Sequence, residues 1–445
     1  MSELNNIIDV DVYLSDVGVS KPNFSTMMIV ASHDLWDDAV REFNSLTELV
    51  DAGVPLGHAI YKAATAWLSP SPNSAPFKVG KRSNQVAQEV KLTPTAADSR
   101  KYTVEVTEQD GTLQTIEFTS DATATVAEIC TGIVAAAVAA SLTDITFTDD
   151  TTHVTITNDT DGEYFAVRAY TDAPSDETAP LWTRNEETAD AGIAADLTAI
   201  LGADPDFYYF VPADVQDHAG LVAAAAWATS NKRMMLATSP DEDILGSGSS
   251  DVASTIKATT NYYAVLTHSR RPYEYPTGSV TSYMGTIDPG KGSWYFKTVS
   301  GPTGQRYTST QKSNATGKNC NIYAVIAGAN RFIDGKTLGG RFIDLQVGID
   351  WFKAEAQTEL ATLLSAADKI PFTEAGFAQI EAALSAVCGR GERQSFIDSG
   401  WTVTMPDLDD VSDADKTART LTGIMISARV AGAIHTLNVS VYLGV

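Results

Sequence analysis

The stretch STMMIVASHD (25–34) shows how the fold is built, because five consecutive apolar residues at 27–31 leave it no polar face. An uninterrupted run of this length is typical of a strand that is covered on both faces of a sheet. Similar runs occur much later, in FYYFVPA (207–213), RMMLATS (233–239) and YAVLTHS (263–269), with helical segments between them. Apolar strands that alternate with helices indicate a parallel sheet. The sequence therefore predicts one α/β layer that contains all four strands.

Capping signals predict where some of the other elements begin and end. Asp34 is a candidate N-cap for a helix over 35–50. In the last third of the chain, Thr373 is a good N-cap for a second amphipathic helix, and Gly389 is a good residue to follow its C-terminus. The segment GWTVTMP (400–406) predicts a further strand.

The segment 78–185 differs in composition from the chain on either side. It contains the alternating strands KYTVEVT and TIEFTSD around a QDG turn, a helical pattern at 124–141 capped by Thr123 or Thr125, and the strand patterns DITFTDDTTHVTITND and EYFAVRAYT. Linkers rich in Pro, Ser and Asp precede and follow it, SPSPNSAPF and TDAPSDETAP. We therefore predict that 78–185 is an inserted, β-rich ββαββ domain.

Both ends of the chain carry strong strand patterns. In NNIIDVDVYLSD (5–16) and HTLNVSVYLGV (435–445), apolar residues alternate with polar ones. The apolar positions are Ile8, Val10, Val12, Leu14, Leu437, Val439, Val441 and Leu443. Alternation of period two predicts half-buried strands, and His435 shares the apolar face of the last one. Such strands pair either within their own monomer or with another chain, and the pattern alone leaves both open.

Composition excludes several classes of protein. The chain has 445 residues, 44% of them hydrophobic, and a net charge of −25, whereas nucleic-acid binding needs a basic face. No apolar run approaches the ~18 residues of a transmembrane helix, and the first residues do not resemble a signal peptide. The three cysteines are far apart, which argues against a zinc site or a disulfide framework and favours buried thiols.

A search for catalytic chemistry finds no convincing constellation. The sequence contains no GxGxxG, no GxxxxGK[ST], no GxSxG and no HExxH. The loop GSGSSD (246–251) lacks a lysine, and DLDDVSDADK (407–416) lacks the glycine of a calcium loop. His33 beside Asp34 could form a catalytic pair, but capping at a strand end is the commoner role of adjacent polar residues. We predict no catalytic residue, no cofactor site and no metal site.

Taken in order, a series of segments resembles the contractile tail sheath proteins of bacteriophages and of related phage-like injection systems. These are MMIVASHD, FNSLTELVDAGVPLGHAIYKAATAWLSPSP before FKVGKR, DPDFYYFVPAD, AAAWATSNKRMMLATSPD, NCNIYAVIAG, GGRFIDLQVGIDWFKAEAQTEL, KIPFTEAGFAQIEAAL and AGAIHTLNVSVYL. The resemblance covers most of the chain, except that 78–185 contributes little to it.

The resemblance implies an α+β fold with an α/β layer, in several domains, with an inserted β-rich domain and extended terminal strand arms. The implied divisions are an arm at 1–20, a discontinuous α/β core at 21–77 and 186–305, an outer domain at 78–185, and a polymerisation domain at 306–445 that faces the tube and ends in an arm at 433–445. In that family the arms, here about 6–16 and 433–443, add strands to sheets of neighbouring subunits.

The resemblance also implies function, partners and location. Sheath subunits assemble with themselves into a helical sheath of six-fold rings around an inner tail tube, contact baseplate and tail terminator proteins, and contract to drive the tube into a host. The protein would lie in the virion tail, and in the host cytoplasm during assembly, with no direct nucleic-acid binding and no membrane insertion. Two alternatives stay open: another virion structural protein such as a baseplate component, and an α/β enzyme, perhaps a hydrolase, with an unrecognised site.

Overall fold

The computed structural model describes residues 24–83, 85–172 and 181–435. The strands are β1 (Met27–Ser32), β2 (Val40–Phe43), β3 (Phe77–Arg82), β4 (Glu89–Pro94), β5 (Lys101–Thr107), β6 (Leu113–Thr119), β7 (Ile145–Asp149), β8 (Val154–Asn158), β9 (Ala166–Thr171), β10 (Trp182–Glu186), β11 (Tyr209–Pro212), β12 (Met234–Ser239), β13 (Ala264–His268), β14 (Asn321–Ile326), β15 (Ala329–Ile333), β16 (Thr402–Thr404) and β17 (Met425–Ser427). The α-helices are α1 (Leu46–Asp51), α2 (Ala59–Leu68), α3 (Val126–Ala140), α4 (Ile193–Ala203), α5 (His218–Asn231), α6 (Val252–Lys257), α7 (Pro276–Met284), α8 (Ser309–Gly317), α9 (Ile343–Ala366), α10 (Glu374–Arg393) and α11 (Asp413–Ala418).

The chain divides into two compact units, which we describe separately. One contains 24–286 and Phe296–Ile343, and the other contains Ile287–Tyr295 and the described residues from Asp344 onward. In the part of the chain that the structure describes, no helix has the length and apolar character that crossing a bilayer requires.

The larger unit is organised by an eight-stranded sheet with the order β15-β14-β13-β12-β11-β1-β3-β2. Strand β1 lies parallel to β11 on one side and to β3 on the other, and β11, β12 and β13 continue in parallel. The predicted layer of four parallel strands is therefore confirmed. At the two edges of the sheet, β2 and β15 are antiparallel to their neighbours.

Helices cover both faces of this sheet, which explains the uninterrupted apolar runs. All six residues of β1 are buried. Met28 and Val30 belong to a core formed with Leu197 of α4 and Leu221 of α5, to which α6 and α8 also contribute. Helices α2 and α7 pack together on the other face, where the Ser279 hydroxyl donates to the Ala66 carbonyl at 2.8 Å. A strand covered on both sides has no position for a polar side chain facing water.

Strands β4 to β10 and α3 lie outside the eight-stranded sheet and share a core of their own. They form a four-stranded sheet, β10-β4-β8-β7, and a three-stranded sheet, β6-β5-β9, around α3. Thr125 caps α3 in a capping box with Glu128, as predicted for one of the two candidates. The predicted single strand over 144–159 is wrong: it is a hairpin of β7 and β8, because Thr151 turns the chain with φ of 64° and its backbone N–H donates to Asp149. The domain boundaries at 78 and 185 stay a prediction.

Two predicted helix limits are also wrong. Residues 35–50 form no continuous helix, since β2 pairs with β3 and Ser45, rather than Asp34, caps the short helix α1. Helix α10 begins at its predicted cap Thr373 but continues past Gly389 to Arg393. The continuation keeps Gly391 buried on the same face as the preceding apolar residues.

Two helical glycines provide a matched test of packing. A Cβ atom at Gly132 of α3 would lie 2.1 Å from Cδ2 of Phe118, whereas a Cβ at Gly202 of α4 would have no described atom within 4 Å apart from the neighbouring residues and backbone of its own helix. Because alanine favours helix over glycine, we expect Gly202→Ala to raise the free energy of unfolding by up to about 1 kcal/mol. We expect Gly132→Ala to lower it by about 1–3 kcal/mol through overpacking. Urea unfolding curves test both, and stabilisation by Gly132→Ala would contradict the packing described for α3.

Candidate functional site

The carboxyl ends of β1, β3 and β11 are where an α/β enzyme of this topology would hold a ligand. Buried ion pairs occupy this place. The Arg82 guanidinium lies 3.0 Å from Asp196 Oδ2 through Nε and 3.0 Å from Asp214 Oδ1 through Nη1. The other Asp214 oxygen accepts the backbone N–H of Ser32 at 2.8 Å. These bonds connect three strand ends to α4, and the cavity left beside them has a volume of about 20 Å³, room for about one water molecule.

Two histidines are buried close to these ion pairs. His58 is 3% exposed, and its Nδ1 accepts the backbone N–H of Ile60 as the N-cap of α2. His33 is 4% exposed, its ring packs 4.1 Å from that of Trp36, and neither ring nitrogen has a hydrogen-bond partner among the described residues. Burial lowers the pKa of His58 to about 4, and burial together with the neighbouring His58 lowers the pKa of His33 to about 4. Both rings are therefore neutral at pH 7.

The catalytic pairing considered for His33 and Asp34 is not formed. The Asp34 carboxylate is exposed and lies 3.1 Å from the Lys81 ammonium. The capping role considered for these residues is also absent, because Ser45 caps the next helix. Cys130 and Cys388 are buried and free, as predicted, and Cys320 is buried and free as well. Among the described residues, no group of three or more His, Cys, Asp or Glu side chains is arranged to hold a metal ion.

The smaller unit contains a second candidate site, a helical hairpin that carries a small sheet. Helices α9 and α10 are joined by ion pairs from Arg390 to Glu355 at 3.3 Å and to Glu359 at 2.7 Å. The ring of Phe396 fills the space beside Gly348, where a Cβ would lie 2.2 Å from the ring. The apolar side chains between the helices and the small sheet are Phe352, Ala356, Leu360, Ile380, Leu384, Val387, Val403, Ile424 and Ile426.

The small sheet consists of β16 and β17, which are antiparallel and pair Val403 with Ile426. Backbone hydrogen bonds extend this pairing towards residues 396–398 and 429–431, for example from Asp398 N to Arg429 O at 2.7 Å. Among the described residues, each strand pairs only with the other, so each has one open edge. A two-stranded sheet is marginally stable by itself, and this one is supported by the helices on one face only. The strand at 402–404 was predicted, and its partner was not.

The predicted arms lie mostly outside the described residues. Ile8, Val10, Val12, Leu14, Leu437, Val439, Val441 and Leu443 all fall there, so the structure does not place them. The last described residue is His435, which is half-buried rather than buried in a strand. Its Nε2 lies 2.8 Å from the Ser293 hydroxyl, and its ring stacks on Tyr295 with centroids 4.6 Å apart. This anchor has no sequence signal, because residues 142 positions apart form it.

Buried neutral His58 predicts acid sensitivity. Its pKa is about 4 in the folded chain and 6.5 in the unfolded chain, so the unfolded state binds more protons between these values. The free energy of unfolding should therefore fall as the pH drops from 6.5 to 5, by up to roughly 1.4 kcal/mol per pH unit from this group. In His58→Asn, whose amide oxygen can still cap α2, this part of the slope should vanish in urea titrations at several pH values. Equal slopes for both proteins would show that His58 is already protonated when folded.

A comparison with protein families finds a match that falls on the second candidate site. Residues 343–402, from the start of α9 to the first residue of β16, match the family model described as "E217 tail sheath protein gp31-like, C-terminal domain". No curated protein matches the chain in sequence.

Three solved structures align with the chain at low sequence identity. A sheath tail protein from Listeria innocua is 12% identical with a TM-score of 0.49, and the alignment covers 94% of each chain. A sheath tail protein from Desulfitobacterium hafniense is 10% identical with a TM-score of 0.47, covering 88% of this chain and 93% of that one. The sheath of an extracellular contractile injection system in its contracted state is 8% identical with a TM-score of 0.48, covering 97% of each chain. Residues 343–402 are thus similar to the C-terminal domain of a tail sheath protein, in agreement with the resemblance found in the sequence.

Proposed function

We propose that this protein is a structural subunit of a contractile tail sheath. The observation that carries the proposal is that the segment matching the tail sheath domain, residues 343–402, leads directly into a small sheet whose outer edges are open among the described residues. Subunits would form stacked six-fold rings around an inner tail tube and contact baseplate and tail terminator proteins at the ends. Contraction of these rings would drive the tube through the host envelope.

The links between subunits would be donated β-strands. Within the described part of the chain, the sheet of β16 and β17 has two open edges, and the sequence predicts two arms, at about 6–16 and 433–443. An extended arm of about ten residues reaches roughly 30 Å, enough to leave its own subunit. Unpaired backbone groups at a sheet edge accept such a strand by β-augmentation, and pockets for alternate side chains give it register.

The strength of one such link is modest, which suits an assembly that must stay soluble as monomers. Each backbone hydrogen bond contributes about 0.5–1.5 kcal/mol net, while ordering each residue costs about 1–2 kcal/mol. A single donated strand is therefore nearly balanced unless its apolar side chains are buried. Many links formed together in a lattice are far stronger than one, and the net charge of −25 opposes chance contacts between monomers.

Each domain has its own role in this proposal. The module of β4 to β10 has its own core and would be the outer domain, within the predicted limits 78–185. The acceptor sheet lies inside the predicted polymerisation domain at 306–445, which would also face the tube. The buried ion pairs at Arg82 occupy the place where an α/β enzyme would hold a ligand. We therefore assign the α/β layer a structural role.

Removing the arms tests the proposal. We expect the full-length chain to form long hollow tubes in electron micrographs. Deleting 1–16 or 436–445 should abolish the tubes, while circular dichroism and the melting temperature change little, because the arms complete the sheets of other chains. A truncated monomer that unfolds would mean that the arms pair internally. A full-length chain that forms no tubes would favour another virion component or an enzyme.

A matched pair of substitutions compares the predicted apolar face of the C-terminal arm with its predicted polar face. Val441→Asp would place a charge against a neighbour's core and cost several kcal/mol. Ser440→Asp adds the same charge one residue earlier, on the predicted polar face. Tubes should be lost with Val441→Asp and retained with Ser440→Asp. Equal loss with both would contradict the predicted register.

A further inference from the structure

The segments that form the two edges of the eight-stranded sheet have opposite net charge. At one edge, Phe296–Ile343 contains β14 and β15 and has seven Lys or Arg residues against one Asp. At the other edge, residues 34–51 surround β2 and have six Asp or Glu residues against one Arg. The net charge of the whole chain is −25, so the basic segment is a local exception. We call the two regions the basic edge and the acidic edge.

The basic edge presents side chains rather than open backbone. Segment 296–298 runs along β15, with Phe296 N donating to Phe332 O at 2.7 Å and Phe332 N donating to Lys297 O at 2.8 Å. The Arg331 guanidinium lies 5.1 Å from the centre of the Phe296 ring and donates to the Thr298 hydroxyl at 2.7 Å. Among the described residues, no carboxylate forms an ion pair with Lys297 or Arg331. Phe296 is 42% exposed, and the two cations beside it, Lys297 and Arg331, are half-buried.

The acidic edge has the complementary composition. Asp37, Glu42 and Asp51 are exposed, and within the described ranges no cation forms an ion pair with them. Leu35 and Val50 are exposed beside them, at 37% and 47%. Strand β2 has only four residues, and a short, charged edge strand resists the addition of another strand. Charged side chains of either sign would protect an edge strand against the addition of another strand. Protection therefore does not explain why the two edges carry charges of opposite sign.

We propose that the basic edge of one copy binds the acidic edge of the next copy, head to tail. Opposite charges attract across this contact, whereas two like edges repel, so the contact also sets the orientation of the subunits. A contact between two different surfaces of the same chain repeats from copy to copy, as a ring or helix requires. The inference deepens the proposed sheath function by naming a second interface, separate from the donated strands.

Zero-length cross-linking with a carbodiimide tests the contact directly. The two edges are seven strand spacings apart, roughly 34 Å, so an amide bond between Lys297 and Asp37 or Glu42 can only join two copies. We expect these cross-linked peptides from the full-length chain at about 0.1 M salt. Their yield should fall at 1 M salt, where the Debye length shrinks from about 10 Å to about 3 Å. Absence of the cross-links at low salt would overturn the proposal.

Charge reversal identifies the partners of the contact. The variants Lys297→Glu/Arg331→Glu and Asp37→Lys/Glu42→Lys each lack one of the two reactive groups and place like charges at the contact, so neither should form these cross-links alone. An equimolar mixture of the two variants should restore them, now between the variants. Lys91→Glu and Asp161→Lys make the same kinds of charge change in the β4–β10 module and should have no effect. Failure of the mixture to restore the cross-links would also overturn the proposal.

The outcomes separate this inference from the proposed function. If the full-length chain forms tubes but neither it nor the mixture of the two variants gives the cross-links, the edge contact is wrong while the sheath function stands. If no protein forms tubes but the salt-sensitive cross-links appear in smaller oligomers, the edge contact stands and the sheath function falls.

Discussion

Every β-strand offers hydrogen bonds on two sides, and β1 (Met27–Ser32) has both sides filled by β11 and β3. Its partner β11 lies some 180 residues away in sequence, in register from Met27 opposite Tyr209. The β4–β10 module lies in sequence between these two paired strands. The chain therefore leaves the sheet after Arg82 and returns at α4 without interrupting the layer. The ion pair between Arg82 and Asp196 joins the points of departure and return. The module therefore adds to the fold without altering the layer.

The opposite situation holds in the sheet of β16 and β17, where each strand has one open side within the described chain. The helices α9 and α10 bury one face of this sheet but supply no third strand. Unsatisfied backbone groups are tolerated at a surface because water hydrates them, yet they also form a template for another chain. The edges of the larger sheet differ from these open edges, because charged side chains surround β2 and the segment 296–298 covers β15. Among the described residues, the β16–β17 sheet is thus the one whose edges we propose as the sites of strand addition.

How much could be predicted from the sequence depended on burial. The strands of the parallel layer were predicted because burial on both faces leaves an unmistakable apolar run, and Thr373 was predicted because a cap depends on local hydrogen bonds. Strand β2 was mistaken for helix because an exposed edge strand of four residues has too short a pattern. The partner strand at 425–427 was missed for the same reason. The buried ion pairs at Arg82 join residues more than a hundred positions apart, so no local sequence pattern predicts them.

The central claim is that β16 and β17 receive strands from other copies of the chain. Hydrogen exchange measured by mass spectrometry on monomers and on assembled protein tests it most directly. Amides of 402–404 and 425–427 that point away from the partner strand should exchange rapidly in the monomer and become strongly protected on assembly, while β1 is protected in both states. Protection of these amides that is the same in monomer and assembly would contradict the claim.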